Sequence, residues 1–140
     1  MKSYFVLLGF YSLSFLFSCS SRGPVEPTFS GNPVITGWYA DPEVIVYGDR
    51  YWIYPTYSDE FDRQVFMDAF SSPDLIEWTK HERILDTAEV SWAKYAMWAP
   101  GVIQKGDQYF LFFSANDVHE GEIGGIGVAV TLGQNIGFPD

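Results

Sequence analysis

The sequence predicts an all-β fold of repeated four-stranded antiparallel blades, the arrangement of a β-propeller. Three observations predict it. Residues 41–58, DPEVIVYGDRYWIYPTYS, lie over residues 99–116, APGVIQKGDQYFLFFSAN, at a constant offset of 58 and without a gap. In both copies a Gly-Asp pair separates two apolar runs, which is a hairpin signal because Gly tolerates positive φ. No segment carries helical periodicity over a dozen residues.

The elements follow in order. In the first copy a short strand, Glu43 to Val46, meets the turn at Gly48-Asp49, and an aromatic strand follows from Tyr51 to Tyr54. QVFMDAFSS (64–72) reads as the third strand. A turn at Ser72-Pro73-Asp74 then leads to an outer strand around Trp78 to Ile84. In the second copy the strands are Gly101 to Ile103, Tyr109 to Phe113 and GIGVAVT (125–131). Blade one therefore spans about 41–85 and blade two about 99–140. A β-sandwich also has short strands and turn signals. The gap-free repeat favours the propeller, whose blades are such units. Because roughly four to eight blades close a propeller, the sequence is expected to be the N-terminal part of a longer protein.

Composition narrows the function. Of the 140 residues 47% are hydrophobic and 19% aromatic, enough to require a packed core. The net charge is −10 with only 8 Lys and Arg, which argues against nucleic acid, since phosphate recognition needs a basic footprint. An acidic, aromatic-rich surface suits neutral partners such as sugars.

The first residues read as a targeting segment. MKSYFVLLGFYSLSFLFSC combines a basic start at Lys2 with an apolar run from Tyr4 to Phe17, too short for an ordinary membrane span. Residues 1–18 are expected to be a secretory signal peptide. Leu16-Phe17-Ser18-Cys19 resembles a bacterial lipobox, so Cys19, the single cysteine, is expected to carry lipid. The alternative is a plain signal peptide. Residues 19–28 then form a lipidated Cys and tether, and the partial propeller domain occupies 29–140. The protein is expected to be secreted across the inner membrane and lipid-anchored, periplasmic or at the cell surface.

The repeat isolates one residue. Asp41 occupies the position that Ala99 occupies in the second copy, so the fold does not require an acid there. The innermost strand of a propeller blade lines the channel, and its start lies at the mouth. Asp41 preceded by Trp38 and Tyr39 has the parts of a carbohydrate site: aromatic faces for stacking and a carboxylate to activate water. The alternative is that Asp41-Pro42 is a turn device. Tyr57 and Ser58, with Ala115 and Asn116 at the equivalent place, are expected near the channel; Tyr57 and Asn116 are the candidate sugar contacts.

These residues carry a family resemblance. NPVITGWYADPEVIVYGDRYWIYPTYS resembles the opening of glycoside hydrolase family 43. SSPDLIEW (71–78), MWAPGVIQKGDQYFLFFSAN and GGIGVAVT resemble the family's next three motifs, in order and at blade spacing. The resemblance runs from about Gly31 to Thr131. It implies a five-bladed propeller that hydrolyses glycosidic bonds in arabinofuranosides, xylosides or galactofuranosides with inversion. It implies Asp41 as general base, with Trp98 and Ala99 as the wall of the subsite for the cleaved sugar. The family's general acid, a Glu, and its pKa-tuning Asp belong to later blades, past residue 140. Gly101 stands where many members have Asp or His, read here as a difference in specificity. Asp59, Glu60, Asp62, Asp68, Glu120 and Glu122 match neither acidic motif; several sit in loops, where solvated surface charge is expected. His81 and His119 lack partners at metal spacing, so no metal site is assigned. The resemblance allows a structural calcium without identifying ligands. The expected partners are a polysaccharide or oligosaccharide and, through the lipid, a membrane. The alternative function is a non-catalytic carbohydrate-binding propeller lipoprotein.

Overall fold

The strands form two antiparallel sheets. In the computed structural model, which describes residues 29–117 and 121–132, they run as β1 (Tyr39–Tyr47), β2 (Arg50–Tyr57), β3 (Phe66–Ser72) and β4 (Thr79–Asp86) in the first sheet. The second contains β5 (Trp98–Lys105), β6 (Gln108–Ala115) and β7 (Gly125–Leu132). Spatial order equals chain order in both sheets, as in successive propeller blades. The expected signal segment, Cys19, the tether, His119 and Glu120 lie outside the described residues. The expected fourth strand of blade two would fall past Leu132, also outside them.

The turns explain the register. Gly48 and Gly106 stand at φ +61° and +62°, each at the first central position of a two-residue loop, as type II′ hairpins require. Tyr47 pairs with Arg50 and Lys105 with Gln108 across these loops.

Both innermost strands begin earlier than the sequence suggests. β1 starts at Tyr39 rather than Glu43, and β5 at Trp98 rather than Gly101. Asp and Pro are poor strand formers, so the sequence places the boundary after them. A β-bulge instead carries each ladder past the Pro, with register shifts between Ala40 and Glu43 and between Trp98 and Gly101.

The core lies between the sheets. Tyr47 of β1, Trp52 and Tyr54 of β2, and Met67 and Ala69 of β3 face Val102, Leu111, Phe113 and Ala115 of the second sheet. Tyr54, Met67 and Leu111 are completely buried, each such side chain contributing about 1.5–3 kcal/mol of apolar transfer. The opposite face of the second sheet is apolar but open: Ile103, Phe112, Ile126, Val128 and Val130 are all exposed.

Two side chains of β1 lock the sheets together. Val102 N–H donates to Glu43 Oε2 at 2.8 Å, and Val102 C=O accepts from Tyr47 Oη at 2.9 Å. Gly101 belongs to this contact, because a Cβ there would lie 3.0 Å from Glu43 Oε2. Its small size thus has a packing cause, where the sequence suggested a specificity difference.

One acid is misread by the sequence. Asp68 is 1% exposed, not a solvated surface charge. It accepts from Tyr39 Oη at 2.8 Å, from Lys80 Nζ at 3.1 Å and from the Arg83 amide at 2.8 Å. Burial disfavours the Lys80 charge, but the hydrogen bond and attraction to Asp68 outweigh it and hold its pKa above the ordinary lysine range.

The Tyr47 phenol reports the inter-sheet lock. Burial, helped by the Glu43 and Tyr109 charges, pushes its pKa up to about 12. A raised tyrosine pKa favours the protonated form in the fold, so this stabilisation is complete below the unfolded value of roughly 10 and is lost as pH rises toward the folded value. Unfolding free energy is expected to fall more steeply between these two pH values than in Tyr47→Phe. Parallel urea titrations check it; identical pH slopes for the two proteins would refute the assignment.

Candidate active site

The bulge that starts each innermost strand builds the site. Asp41 and Ala99 both stand at φ +48°. This left-handed conformation is tolerated by Asp but costs a non-glycine residue about 1–3 kcal/mol. The bulge turns residue 41 out of the ladder, so Asp41 is exposed. The fold therefore presents this carboxylate to solvent and does not bury it ahead of a strand.

Thr56 connects Asp41 to the second blade. Its hydroxyl accepts from the Ala99 amide at 2.8 Å and donates toward Asp41 Oδ2 at 3.5 Å. The two bulge residues are thereby brought to one place, as their equivalence in the repeat suggested.

The predicted aromatic residues divide by how they are held. Trp98 is half-buried and donates its indole N–H to Gln64 Oε1. Gln64 is itself buried and donates from Nε2 to Tyr57 C=O at 3.0 Å, while its own C=O accepts from Met97 N–H at 2.8 Å. Tyr39 packs edge-on against Phe70 and Tyr57 and is tied to Asp68. Burial, reinforced by the Asp68 hydrogen bond, raises the Tyr39 pKa. Tyr57 stacks on Phe66 and donates to Asp59 at 3.4 Å. Trp38 is 81% exposed and is held through its C=O, which accepts from Ser58 N–H at 2.9 Å.

Asn116 departs from expectation. It is completely buried, and its side chain is spent on the loops around it. Oδ1 accepts from Lys94 N–H at 2.8 Å, and Nδ2 donates to Trp92 C=O at 2.9 Å and to Ile123 C=O at 3.0 Å. It ties the 92–95 and 121–125 loops together and presents no polar atom at the surface. The sequence misled here because Asn is common in both turns and sugar sites.

Thr56, Gln64 and Asp68 escaped the sequence reading. Thr56 had a signal: the repeat places it over Ser114, so both copies keep a hydroxyl beside the bulge. Asp68 had another, an acid inside an apolar strand with Lys80 and Arg83 downstream. Gln64 had none. His81 stacks on Trp52 and shares a 2.9 Å hydrogen bond with Ser71, inside the first blade. Among the described residues no group of three or more His, Cys, Asp or Glu converges as a metal site requires, so they do not by themselves make a calcium site.

Known proteins resemble this chain in sequence and fold. The family model described as glycosyl hydrolases family 43 matches residues 30–135. A β-D-galactofuranosidase, xynD, of Aspergillus niger is 47% identical over 112 residues, covering 73% of this chain and 32% of that protein. A xylosidase/arabinosidase 43A of Humicola insolens is 35% identical, covering 71% of this chain and 34% of that protein. Among solved structures, CoXyl43, a β-xylosidase/α-arabinofuranosidase from a compost microbial metagenome in complex with xylotriose, superimposes with a TM-score of 0.62 at 28% identity. That match covers 76% of this chain and 36% of CoXyl43. The family-43 enzyme of Xanthomonas citri complexed with xylotriose gives a TM-score of 0.62 at 28% identity, covering 70% of this chain and 30% of that one. The chain thus spans about a third of the length of the curated relatives it matches. With the family match extending over most of the chain, the chain belongs to glycosyl hydrolases family 43.

Proposed function

We propose that this chain is the N-terminal part of an inverting exo- or endo-acting glycosidase in which Asp41 is the general base. The observation that carries the reading is Asp41 itself. It is an exposed carboxylate on a bulge whose counterpart in the repeat is Ala99, and the neighbouring blade brings the Ala99 amide to the Thr56 hydroxyl that faces it. In this reading Asp41 takes a proton from water as the water oxygen attacks the anomeric carbon. The glycosidic oxygen leaves with a proton from a general acid on the opposite side of the bond. Inversion needs the two carboxyls about 6.5–9.5 Å apart, leaving room for the water.

The acid and the pKa-tuning Asp are assigned to chain past residue 140, so the present residues alone are expected to be inactive. The open apolar face of the second sheet supports a longer propeller, since a third blade stacked there would cover Ile103, Phe112, Val128 and Val130. The substrate class follows from the relatives: β-galactofuranosides, xylosides or arabinofuranosides. Trp38, Tyr39, Tyr57, Trp98 and Ala99 form the proposed sugar subsite.

For the N-terminal segment we keep residues 1–18 as a signal peptide and Cys19 as the lipidated residue. These place the enzyme on a bacterial membrane, facing the periplasm or the exterior.

Two experiments test these assignments. In the full-length protein Asp41→Asn is expected to lower kcat about 100- to 10,000-fold while oligosaccharide binding, measured calorimetrically, persists. Turnover retained in that variant would remove Asp41 as the base. A wild-type protein that binds sugars without hydrolysing any would instead support the sugar-binding alternative. For the anchor, cells fed a clickable palmitate analogue are expected to label the wild type and leave Cys19→Ser unlabelled and released from membranes. Equal labelling of both would refute the anchor.

A further inference from the structure

We propose that Thr56 is a positioning residue whose hydroxyl sets the direction of the Asp41 carboxylate. The inference rests on Asp41 being the general base. Thr56 lies at the C-terminal end of β2, opposite Ala40 and next to the bulge, and is 3% exposed. A hydroxyl has one proton and two acceptor sites. The Ala99 amide donates to Thr56 Oγ1 at 2.8 Å and occupies one acceptor site. That contact comes from the second blade and fixes the oxygen, so the proton is free to point at Asp41 Oδ2, 3.5 Å away. Such a separation is long for a hydrogen bond, and the proposed role requires it to shorten when substrate is bound.

The repeat supplies a comparison within the molecule. Ser114 occupies the same blade position as Thr56 and lies opposite Trp98, as Thr56 lies opposite Ala40. Ser114 donates to Trp98 C=O at 3.2 Å, within its own blade. Among the described residues the Ser114 hydroxyl meets the bulged backbone, and the bulge residue is Ala99. In the first blade the bulge residue is an acid, and the hydroxyl is directed to that acid and across the blade boundary. The branched Thr side chain also has a stiffer χ1 than Ser, which suits a group that must hold one direction. The coupling makes the direction of Asp41 depend on the seating of the second blade.

The test uses the full-length enzyme and the p-nitrophenyl glycoside it hydrolyses best among β-galactofuranoside, β-xyloside and α-arabinofuranoside. Thr56→Val keeps the shape and removes the hydroxyl. It is expected to lower kcat about 10- to 100-fold, the scale of a misdirected catalytic group, with KM changed by less than about threefold. Thr56→Ser is expected to restore most of the rate. A Thr56→Val enzyme with a lower Tm but wild-type kcat per folded molecule would show a merely structural role. Folded Thr56→Ser that stays as slow as Thr56→Val would also overturn the proposal. Asp41→Asn measured alongside separates the two layers. Turnover in Asp41→Asn removes the base assignment, whereas an inactive Asp41→Asn with an unaffected Thr56→Val removes only the role of Thr56. If Thr56→Val fails to fold, the wild-type crystal structure with a bound sugar inhibitor decides. A Thr56 Oγ1 to Asp41 Oδ distance under about 3.0 Å supports the contact, and one beyond hydrogen-bond reach overturns it.

Discussion

Val102 is where the two blades become one structure. In an antiparallel ladder every second residue of an edge strand points its N–H and C=O away from its partner. In β5 one such residue is Val102, 3% exposed, and both of its backbone groups are met by side chains of β1. Leaving either buried group unmet would cost about 1–3 kcal/mol. Glu43 and Tyr47 therefore fix both the distance between the blades and the offset of β5 along β1. Gly101 keeps the path of the Glu43 carboxylate open. The rest of the core, from Tyr54 to Leu111, packs within the spacing that this contact sets.

The same spacing defines the site. With β5 seated against β1, the Ala99 amide reaches the Thr56 hydroxyl, and the two bulges meet. The bulges have equal φ and equal positions in their ladders, so the backbone repeats faithfully. Only the side chains differ. One blade puts Asp at the bulge and small Ala40 just before it; the other puts Trp98 and Ala99 there. The repeated fold thus supplies two equivalent sockets, and the sequence fills one with a carboxylate and the other with Ala99 beside an indole.

The repeat is also why so much was legible. Hairpins show themselves through short-range features, such as the Gly-Asp turn and aromatic β2 and β6, and the 58-residue offset exposed the blades. Asp41 was found for the same reason, as an acid at the mouth of the innermost strand whose place in the repeat is taken by Ala99. What stayed hidden depends on contacts between distant strands. The burial of Asp68 is set by Tyr39, Lys80 and Arg83, which come from three separate positions in the chain. The role of Gly101 is set by Glu43, 58 residues before it and in the other blade. Asn116 was misassigned because a polar residue in a loop looks alike whether it faces solvent or satisfies loop backbone. The starts of β1 and β5 were placed late because a bulge lets Asp-Pro and Ala-Pro sit inside a strand.

Rigidity is distributed unevenly around Asp41, and the pattern suits sugar recognition. Tyr39 and Trp98 flank the bulges, and each has its polar atom tied to a buried partner, Asp68 for one and Gln64 for the other. Both partners are buried residues of blade one, Asp68 in β3 and Gln64 just before it, so each ring is held by a fixed group. A braced aromatic face loses little entropy when a sugar stacks on it, which preserves binding energy for orienting the reacting bond. Trp38 differs: only its backbone is fixed, and its ring stands in solvent. Under the proposed function, the braced rings would suit alignment of the scissile bond, and the free ring would suit tolerance of sugars of different shape.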